Sequence, residues 1–338
     1  MTGSRTQLQN AKTGSGGMVI RDFEQFLQLL SNWDGTIEQL TCGRLQGSMK
    51  MAQGRQMHAH LAEANQSIML RGRERSGICT FTLVLPASAA CLWQRRRLDS
   101  GTLVVRSGNV EVDHRSSRNA INLSIAFPEA TLLRSARSLT KADLKSVSWL
   151  ASQPPPSLFS KLETSIRRFL HHSQGASFSK SQDSQVLEEE CLNTLLDMIL
   201  PSNQNHRSDL PLQSRTLLTS RADDIMRAHL QETMGEVELC EALQVSGRTL
   251  RLAFRERYGL GPMAYFQTLR LNAVRNQLIK ADPESTSIAK VARELGFGHL
   301  GKFAGYYRRL FGELPSKTLA RQRRSIPTNR TEFMSRNE

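Results

Sequence analysis

A stretch of nine residues in the C-terminal third of the chain occurs twice with a constant offset. Each copy contains an aromatic residue, an arginine, a glycine and a proline at the same spacing. These are Phe254, Arg255, Gly259 and Pro262 in the first copy, and Tyr307, Arg308, Gly312 and Pro315 in the second, each 53 positions further on. A duplicated small basic unit predicts a molecule that contacts a repeating polyanion twice, and double-stranded DNA is the repeating polyanion that we expect.

The bulk properties agree with such a partner. The 338 residues allow two domains with cores of their own, and the net charge of +14 favours nucleic acid first and an anionic membrane surface second. The sequence contains neither a membrane-spanning apolar run nor the apolar core of a signal peptide, so we expect a cytoplasmic protein that is associated with the nucleoid when bound to DNA. The five scattered cysteines lack a C-x-x-C pattern and predict neither a disulfide framework nor a zinc site.

Short apolar runs separated by turn residues fill the region from Thr36 to Ile125. The runs are Ile37–Leu40, Ser67–Leu70, Ile78–Leu85, Leu103–Arg106 and Ile121–Phe127. Many short strands at this spacing predict a sandwich or a small barrel. Helical periodicity marks Asp22–Trp33, Leu158–His171 and Val186–Leu200 around it. The broad apolar face of the last helix has two interpretations, packing on the sheet of its own domain or a dimer contact.

The predicted fold class is α+β, with a β-rich, cupin-like sandwich or barrel and flanking helices before an all-helical region. The linker prediction rests on a polar stretch with two prolines after residue 200. The predicted segments are a disordered leader 1–19, a sensing and dimerisation domain 20–200, a linker 201–213, a DNA-binding domain 214–324 and a flexible tail 325–338.

The first copy of the repeat predicts two short helices joined by a tight turn. The helices are expected at Val237–Leu243 and Arg248–Tyr258, with Ser246 capping the second by accepting from its free N–H groups. The side chains of Arg248, Arg251 and Arg255 are three and four positions apart and therefore share one face. A helix that presents such a face after a tight turn can enter a DNA major groove.

The second copy repeats this arrangement with one extra residue in its turn. The offset between equivalent apolar positions is 52 before the turn and 53 after it. Gly296-Phe297-Gly298 forms the turn and His299–Phe311 the second helix. A long helix that begins at Pro262 and continues through Ile279 joins the copies, because proline fits the first turn of a helix. Such a connector would fix how the two reading helices lie relative to each other.

Several stretches resemble the AraC-type (AraC/XylS) bacterial transcription regulators. They are Val245–Leu250, Gly259–Pro262, Arg270–Arg275, Gly296–Phe303 and Tyr307–Gly312. The Leu-Asn-Ala-Val-Arg and Gly-Phe-x-His-Leu-Gly-x-Phe-Ala variants are most similar to the ethanolamine-utilisation regulator branch. The resemblance implies two helix-turn-helix units on successive major-groove segments of promoter DNA, contact with RNA polymerase, and activation rather than repression. It also implies an N-terminal domain that senses an unidentified small-molecule effector or forms a homodimer, with no cofactor.

The resemblance places base reading on Arg248 and Arg251, together with Thr249. Arginine contacts to guanine are the commonest specific contacts in the major groove. In the second unit Gly301 and Gly305 stand where many relatives have longer polar side chains, so we expect that unit to contact mainly phosphates. The predicted DNA-binding residues are Ser246, Arg248, Thr249, Arg251, Arg255, His299, Lys302, Arg308 and Arg309.

Two further clusters have alternative interpretations. His58 and His60 are two positions apart in a strand, so both imidazoles could bind one metal with Glu63 and His114, but we favour hydrogen-bonded or surface histidines and predict no metal. Arginines at positions 71, 73, 75, 95, 96 and 97 could bind an anionic effector or DNA. We favour an edge strand protected from aggregation by its charges.

Two other functions compete with effector-controlled regulation. One is a ligand-independent DNA-binding regulator that is controlled by its abundance. The other is a DNA-repair alkyltransferase with an AraC-like domain, whose chemistry needs clustered cysteine ligands around a nucleophilic thiolate. The scatter of the cysteines argues against it, and no catalytic motif stands out, so we predict that the protein is not an enzyme.

Overall fold

A computed structural model describes residues 18–20, 33–74, 77–88, 91–94, 96–107, 111–140, 150–172, 181–199, 214–232 and 234–320. The chain divides into two compact units, one of Met1–Ile37 with Leu45–Leu210 and one of Glu38–Arg44 with Pro211–Glu338. The predicted linker, the tail, the leader before Met18 and residues 22–32 of the predicted helix lie outside the described residues. Met18 and Val19, predicted as part of a disordered leader, instead lie in a strand, and Trp33, predicted to end the helix, begins another strand. None of the described helices is long and apolar enough to cross a membrane.

Twelve strands are present in the described residues. They are β1 Met18–Ile20, β2 Trp33–Gln39, β3 Gly47–Gln53, β4 His58–Ala64, β5 Ile68–Glu74, β6 Ile78–Val84, β7 Leu92–Trp93, β8 Arg96–Arg97, β9 Leu103–Ser107, β10 Glu111–Arg115, β11 Ala120–Pro128 and β12 Leu150–Ser152. A seven-stranded sheet has the order β1-β3-β4-β11-β6-β9-β12, and a five-stranded sheet has the order β2-β5-β10-β7-β8. The N-terminal region is therefore β-rich, and the strands predicted at all five apolar runs are present.

The two faces of the larger sheet bury different residues because side chains alternate along a strand. Phe81 and Leu83 of β6 belong to a core that also contains Phe159 and Leu195 of the helices that follow the sheet. Val84, on the opposite face of β6, packs in a second core with residues of the smaller sheet. The larger sheet thus lies between a layer of helices and the five-stranded sheet.

The described residues of the first compact unit also form three α-helices. α1 Glu129–Thr140 lies between β11 and β12, and α2 Pro156–His172 and α3 Gln182–Ile199 follow β12. The apolar face of α3 packs in the same core as the sheet, through Leu187, Cys191 and Leu195. Glu188 adds a polar contact, because its carboxylate accepts hydrogen bonds from the backbone N–H groups of Arg55 and Gln56 at 2.8 Å. Packing within the domain is therefore the correct interpretation of this face, although Val186 is exposed.

The arginine clusters occupy two different positions in the smaller sheet. Arg96 and Arg97 lie on β8 at its edge, as expected for protective charges. The same expectation is wrong for Arg71 and Arg73, because β5 lies between β2 and β10. The Arg71 guanidinium is largely buried and lies 3.9 Å from the carboxylate of Asp113, so it belongs to the packing of the sheet. Arg75 and Arg95 lie outside the described residues.

The candidate metal ligands are not assembled into a site. In the part of the chain that the structure describes, no group of three or more His, Cys, Asp or Glu side chains could hold a metal ion. Burial, reinforced by the Arg106 charge, lowers the pKa of His60 to about 4, and the same two causes lower the pKa of His114 to about 4. Both imidazoles are therefore neutral at physiological pH.

The second unit is helical. Its helices are α4 Ser214–Ala228, α5 Glu236–Leu243, α6 Gly247–Tyr258, α7 Pro262–Lys280, α8 Ile288–Glu294, α9 Leu300–Phe311 and α10 Pro315–Ala320. The short segment Glu38–Arg44 belongs to the same unit. Within it, the backbone N–H of Gln39 donates to Asn272 Oδ1 and the Asn272 amide donates to the Gln39 carbonyl, both at 3.0 Å. The Arg227 guanidinium donates to both carboxylate oxygens of Glu38, at 2.7 and 2.8 Å.

Candidate nucleic-acid interface

The first helix-turn-helix consists of α5, a three-residue turn and α6. Gln244 adopts a left-handed conformation at φ 54° and ends α5. Ser246 then caps α6 as predicted, because its hydroxyl accepts a hydrogen bond from the backbone N–H of Thr249 at 3.2 Å. The left-handed residue and the cap turn the chain sharply within three residues, and α6 therefore begins with a fixed direction.

The exposed face of α6 carries the predicted reading residues. Arg248, Thr249, Arg251 and Arg255 are exposed. The opposite face is buried and includes Leu250, Phe254 and Tyr258. Burial on one side is typical of an amphipathic helix and leaves the cationic side open to a polyanion.

A fourth arginine of α6 points inward. Arg257 is buried, and its guanidinium donates to the hydroxyls of Thr219 at 3.0 Å and Ser220 at 3.2 Å on α4. The same guanidinium lies 4.8 Å from the centre of the Tyr258 ring. Arg257 therefore stabilises the packing of α6 on α4 and is not part of the cationic face.

The second helix-turn-helix consists of α8, a longer turn and α9. Gly296 takes the left-handed position at φ 80° that Gln244 takes in the first unit, 52 positions earlier. The left-handed glycines that end the two reading helices, Gly259 after α6 and Gly312 after α9, have φ 72° and 70° and are 53 positions apart. The extra residue therefore lies between Phe297 and the start of α9, where the sequence placed it.

The exposed face of α9 carries cations near both ends of the helix and has no side chain at two glycine positions. His299, Lys302, Arg308 and Arg309 are exposed as predicted. A Cβ atom added at Gly301 or at Gly305 would meet nothing within 4 Å, so the helix presents backbone to open space at both positions. Tyr306 is the one large hydrophobic residue that is exposed among the described residues of α9, and sequence reasoning missed it.

The connector between the units is a continuous helix. α7 begins with Pro262 at its first position and packs on both sides, so that Phe266, Leu271 and Val274 are all buried. It contacts α6 of the first unit and α9 of the second. The prediction of one long helix that joins the two copies is therefore confirmed.

Two positions at the start of the first helix-turn-helix differ from expectation. Val237, the apolar residue with which the predicted helix Val237–Leu243 begins, is 67% exposed and not buried. Glu236, which sequence reasoning did not single out, is the first residue of α5, and its carboxylate accepts a hydrogen bond from the Arg251 guanidinium. The two residues are 15 positions apart, beyond the range of any helical spacing rule, and the only sequence signal was an acidic residue in the first turn of α5.

Residues 239–321 match a family model described as "Helix-turn-helix domain". The chain is similar to the "Probable thc operon regulatory protein" of Rhodococcus erythropolis, with 30% identity over 140 residues that cover 41% of this chain and 40% of that protein. It is also similar to the "XylDLEGF operon transcriptional activator 2" of Pseudomonas putida, with 36% identity over 100 residues that cover 30% of this chain and 64% of that protein. The chain thus spans less than two thirds of the length of these relatives. The matched domain is a helix-turn-helix domain, and these relatives are described as an operon regulatory protein and an operon transcriptional activator.

Solved structures with similarity to the chain include two regulators. One is a Chromobacterium violaceum transcriptional regulator described as an AraC-type DNA-binding domain-containing protein, with 28% identity, coverage of 32% of this chain and 94% of that chain, and a TM-score of 0.30. The other is the AraC-like transcriptional activator CuxR, with 15% identity, coverage of 82% of this chain and 99% of that chain, and a TM-score of 0.39.

Proposed function

We propose that the protein is a sequence-specific, DNA-binding transcription regulator of the AraC/XylS type, acting as an activator in the cytoplasm. Its helical unit, Glu38–Arg44 with Pro211–Glu338, binds two successive major-groove segments of promoter DNA through α6 and α9. The observation that carries the proposal is the exposed cationic face of α6, capped by Ser246 and backed by a buried aromatic face. The matched helix-turn-helix domain, residues 239–321, covers the second helix-turn-helix fully and the first from Leu239 of α5 onwards.

The two helix-turn-helices have different roles in this proposal. α6 reads bases through Arg248 and Arg251, supported by Thr249, because guanidinium groups can donate two hydrogen bonds to guanine. α9 anchors the protein on phosphates through its exposed cations. Gly301 and Gly305 have no side chains, so these two positions of α9 cannot reach a base edge. The proposal predicts that sequence discrimination is concentrated in one of the two groove segments.

Substitution of one residue in each unit separates the two roles. Arg251→Ala should weaken binding to a selected site by an amount equivalent to about 1–3 kcal/mol and leave binding to random DNA much less affected. Lys302→Ala should weaken both equally and reduce the slope of log affinity against log salt by about one unit. Arg221→Ala, an exposed cation on α4, is the control for the loss of one charge. Equal losses on both DNAs for Arg251→Ala would remove the assignment of base reading.

The β-rich compact unit, Met1–Ile37 with Leu45–Leu210, is proposed to sense an effector and to form a homodimer, as the resemblance implies. It would thereby change promoter occupancy or the contact with RNA polymerase. Effector-dependent footprinting tests this role. A first unit that binds nothing in a metabolite thermal-shift screen would favour the alternative of a regulator controlled by its abundance.

The alkyltransferase alternative requires a reactive thiolate, and two of the buried cysteines, Cys91 and Cys191, do not supply one. Burial raises the pKa of Cys91 to about 11 and that of Cys191 to about 12, so both remain thiols at neutral pH. An intact-mass measurement after incubation with methylated DNA should show no methyl transfer to Cys42, Cys79 or Cys91.

A further inference from the structure

The side chain of Glu236 holds the base-reading arginine from the other side of the helix-turn-helix. Glu236 Oε1 accepts a hydrogen bond from Arg251 Nη1, although the two residues lie on different helices. The Glu236 side chain is 28% exposed and that of Arg251 is 52% exposed. In the described part of the chain, neither Arg248 nor Arg255 makes an ion pair. Arg251 is thus the one held arginine on the cationic face of α6.

The absence of a side chain at Gly247 makes room for this pair. A Cβ atom added at Gly247 would lie 2.9 Å from Glu236 Oε1 and 3.3 Å from Arg251 Nη1. The ion pair therefore lies over the first turn of α6 and spans the groove between α5 and α6. An alanine there would press on the carboxylate and on the guanidinium at the same time.

The duplication shows that the helix-turn-helix fold does not need the pair. The positions equivalent to Glu236, Gly247 and Arg251 in the second unit are Ile288, Leu300 and Ala304. The second unit nevertheless forms the same two helices. An interaction that only one copy possesses, on the helix that we propose reads bases, is better explained by recognition than by stability.

Two physical effects follow for DNA binding. A guanidinium held by a carboxylate has lost part of its rotational freedom before DNA arrives, so less is lost when it meets a guanine. The carboxylate also repels phosphates and competes with them for Arg251, which weakens the sequence-independent part of binding. Both effects increase the ratio of specific to non-specific affinity.

We propose that Glu236 is a positioning residue that determines specificity, because it holds Arg251 for a guanine and keeps it from non-specific phosphate contacts. The inference rests on the proposed base-reading function of α6. Its first consequence is that Glu236→Gln lowers the preference for a selected site by about 2- to 12-fold, the equivalent of one additional immobilised side chain. Its second consequence is that the salt slope of binding to random DNA steepens by up to about 0.9, because the released guanidinium can contact one more phosphate.

The experiment uses the full chain and two duplexes of equal length, one selected by the wild-type protein from a random pool and one of random sequence. Fluorescence anisotropy at several salt concentrations gives the affinity and the salt slope for each. Glu241→Gln is the matched control, because it removes the same charge from an exposed residue of α5 that lines the same groove. Thermal unfolding of both variants verifies that each remains folded.

A double-mutant cycle separates positioning from a general effect of charge. Glu236→Gln should change the preference in the wild-type background and leave it unchanged when Arg251 is already alanine. Replacing the guanine that loses its effect in Arg251→Ala with 7-deazaguanine should cost the Glu236→Gln protein less than it costs the wild type. Equal effects of Glu236→Gln and Glu241→Gln, or an unchanged preference in Glu236→Gln, would overturn the inference while the Arg251→Ala result stands. A wild-type protein that selects no sequence would instead overturn the proposed function.

Discussion

Glu313→Ala should destabilise the helical compact unit far more than removal of a surface carboxylate does. Glu313 and Arg275 have side chains that are 7% and 6% exposed, and Arg275 Nη1 donates to Glu313 Oε1 at 3.0 Å. The same carboxylate oxygen accepts from the Thr318 hydroxyl at 2.9 Å. The Arg275 guanidinium is further enclosed by the Phe311 ring, whose centre lies 4.8 Å away. The substitution therefore leaves a buried cation without this carboxylate.

The expected cost is about 3–5 kcal/mol, the usual result of removing one partner from a buried ion pair. With a urea dependence of about 1–3 kcal/mol per molar, this cost lowers the urea midpoint by roughly 1–5 M. Glu294→Ala is the control, because Glu294 faces Lys290 at 3.9 Å on the surface of α8 and such pairs contribute about 0–1 kcal/mol. Replacing both Arg275 and Glu313 by apolar residues of similar volume should cost less than Glu313→Ala alone.

Urea unfolding of the full chain, followed by far-ultraviolet circular dichroism, measures these differences. The three tryptophans, Trp33, Trp93 and Trp149, all belong to the sequence ranges of the first unit, so their fluorescence reports that unit in the same samples. A Glu313→Ala protein that unfolds at the same urea concentration as Glu294→Ala would refute the reasoning, because the pair would then behave as a solvated one.

Further expectations concern a turn, a buried histidine and a buried amide. Gly259→Ala should cost about 1–2 kcal/mol for its left-handed conformation, and Gly312→Ala more, because the added Cβ would also lie 2.7 Å from the backbone nitrogen of Arg44; thermal unfolding measures both. Burial lowers the folded-state pKa of His114 to about 4, below its value of about 6.5 in the unfolded chain. The contribution of His114 to stability is therefore complete above about pH 6.5 and decreases as the pH falls towards 4, by up to about 1.4 kcal/mol per pH unit. His114→Gln should show a shallower decrease in urea unfolding followed by tryptophan fluorescence. Asn272→Ala should cost about 2 kcal/mol in urea unfolding followed by circular dichroism, because it breaks two hydrogen bonds to the buried backbone of Gln39.

The helices of the second unit were predictable because their ends are marked locally. A capping serine, a proline at the first position of α7 and glycines beyond α6 and α9 locate the helix ends within one or two residues. Strand β3 was missed because only Met49 and Ala52 are buried along its seven residues, so its alternation is weak. Strand β10 was missed because Val112 is its one buried aliphatic residue and the buried partner beside it is the polar His114.

The candidate interface was predictable on its surface and not in its contacts. An exposed cation on an amphipathic helix follows from periodicity, so Arg248, Arg251 and Arg255 were placed correctly on the outer face. Their electrostatic partners depend on tertiary structure, since the Glu236–Arg251 pair joins two helices across the turn. The inward position of Arg257 was likewise set by α4, which supplies two hydroxyls to its guanidinium.

The two copies of the repeat share those features that fold a helix-turn-helix and differ in those that meet a ligand. Both keep an inward aromatic pair and a left-handed glycine, because a reading helix must pack on the connector and then end. The exposed face keeps one cation, since Arg255 corresponds to Arg308, but changes in opposite directions at two other positions: Arg251 corresponds to Ala304, and Thr249 corresponds to Lys302. The first copy thus has an arginine that is paired with a carboxylate, Arg251, near the short hydroxyl side chain of Thr249. The second copy has the ammonium group of Lys302 next to the backbone of Gly301. A polyanion bound by both would be read at one end and held at the other.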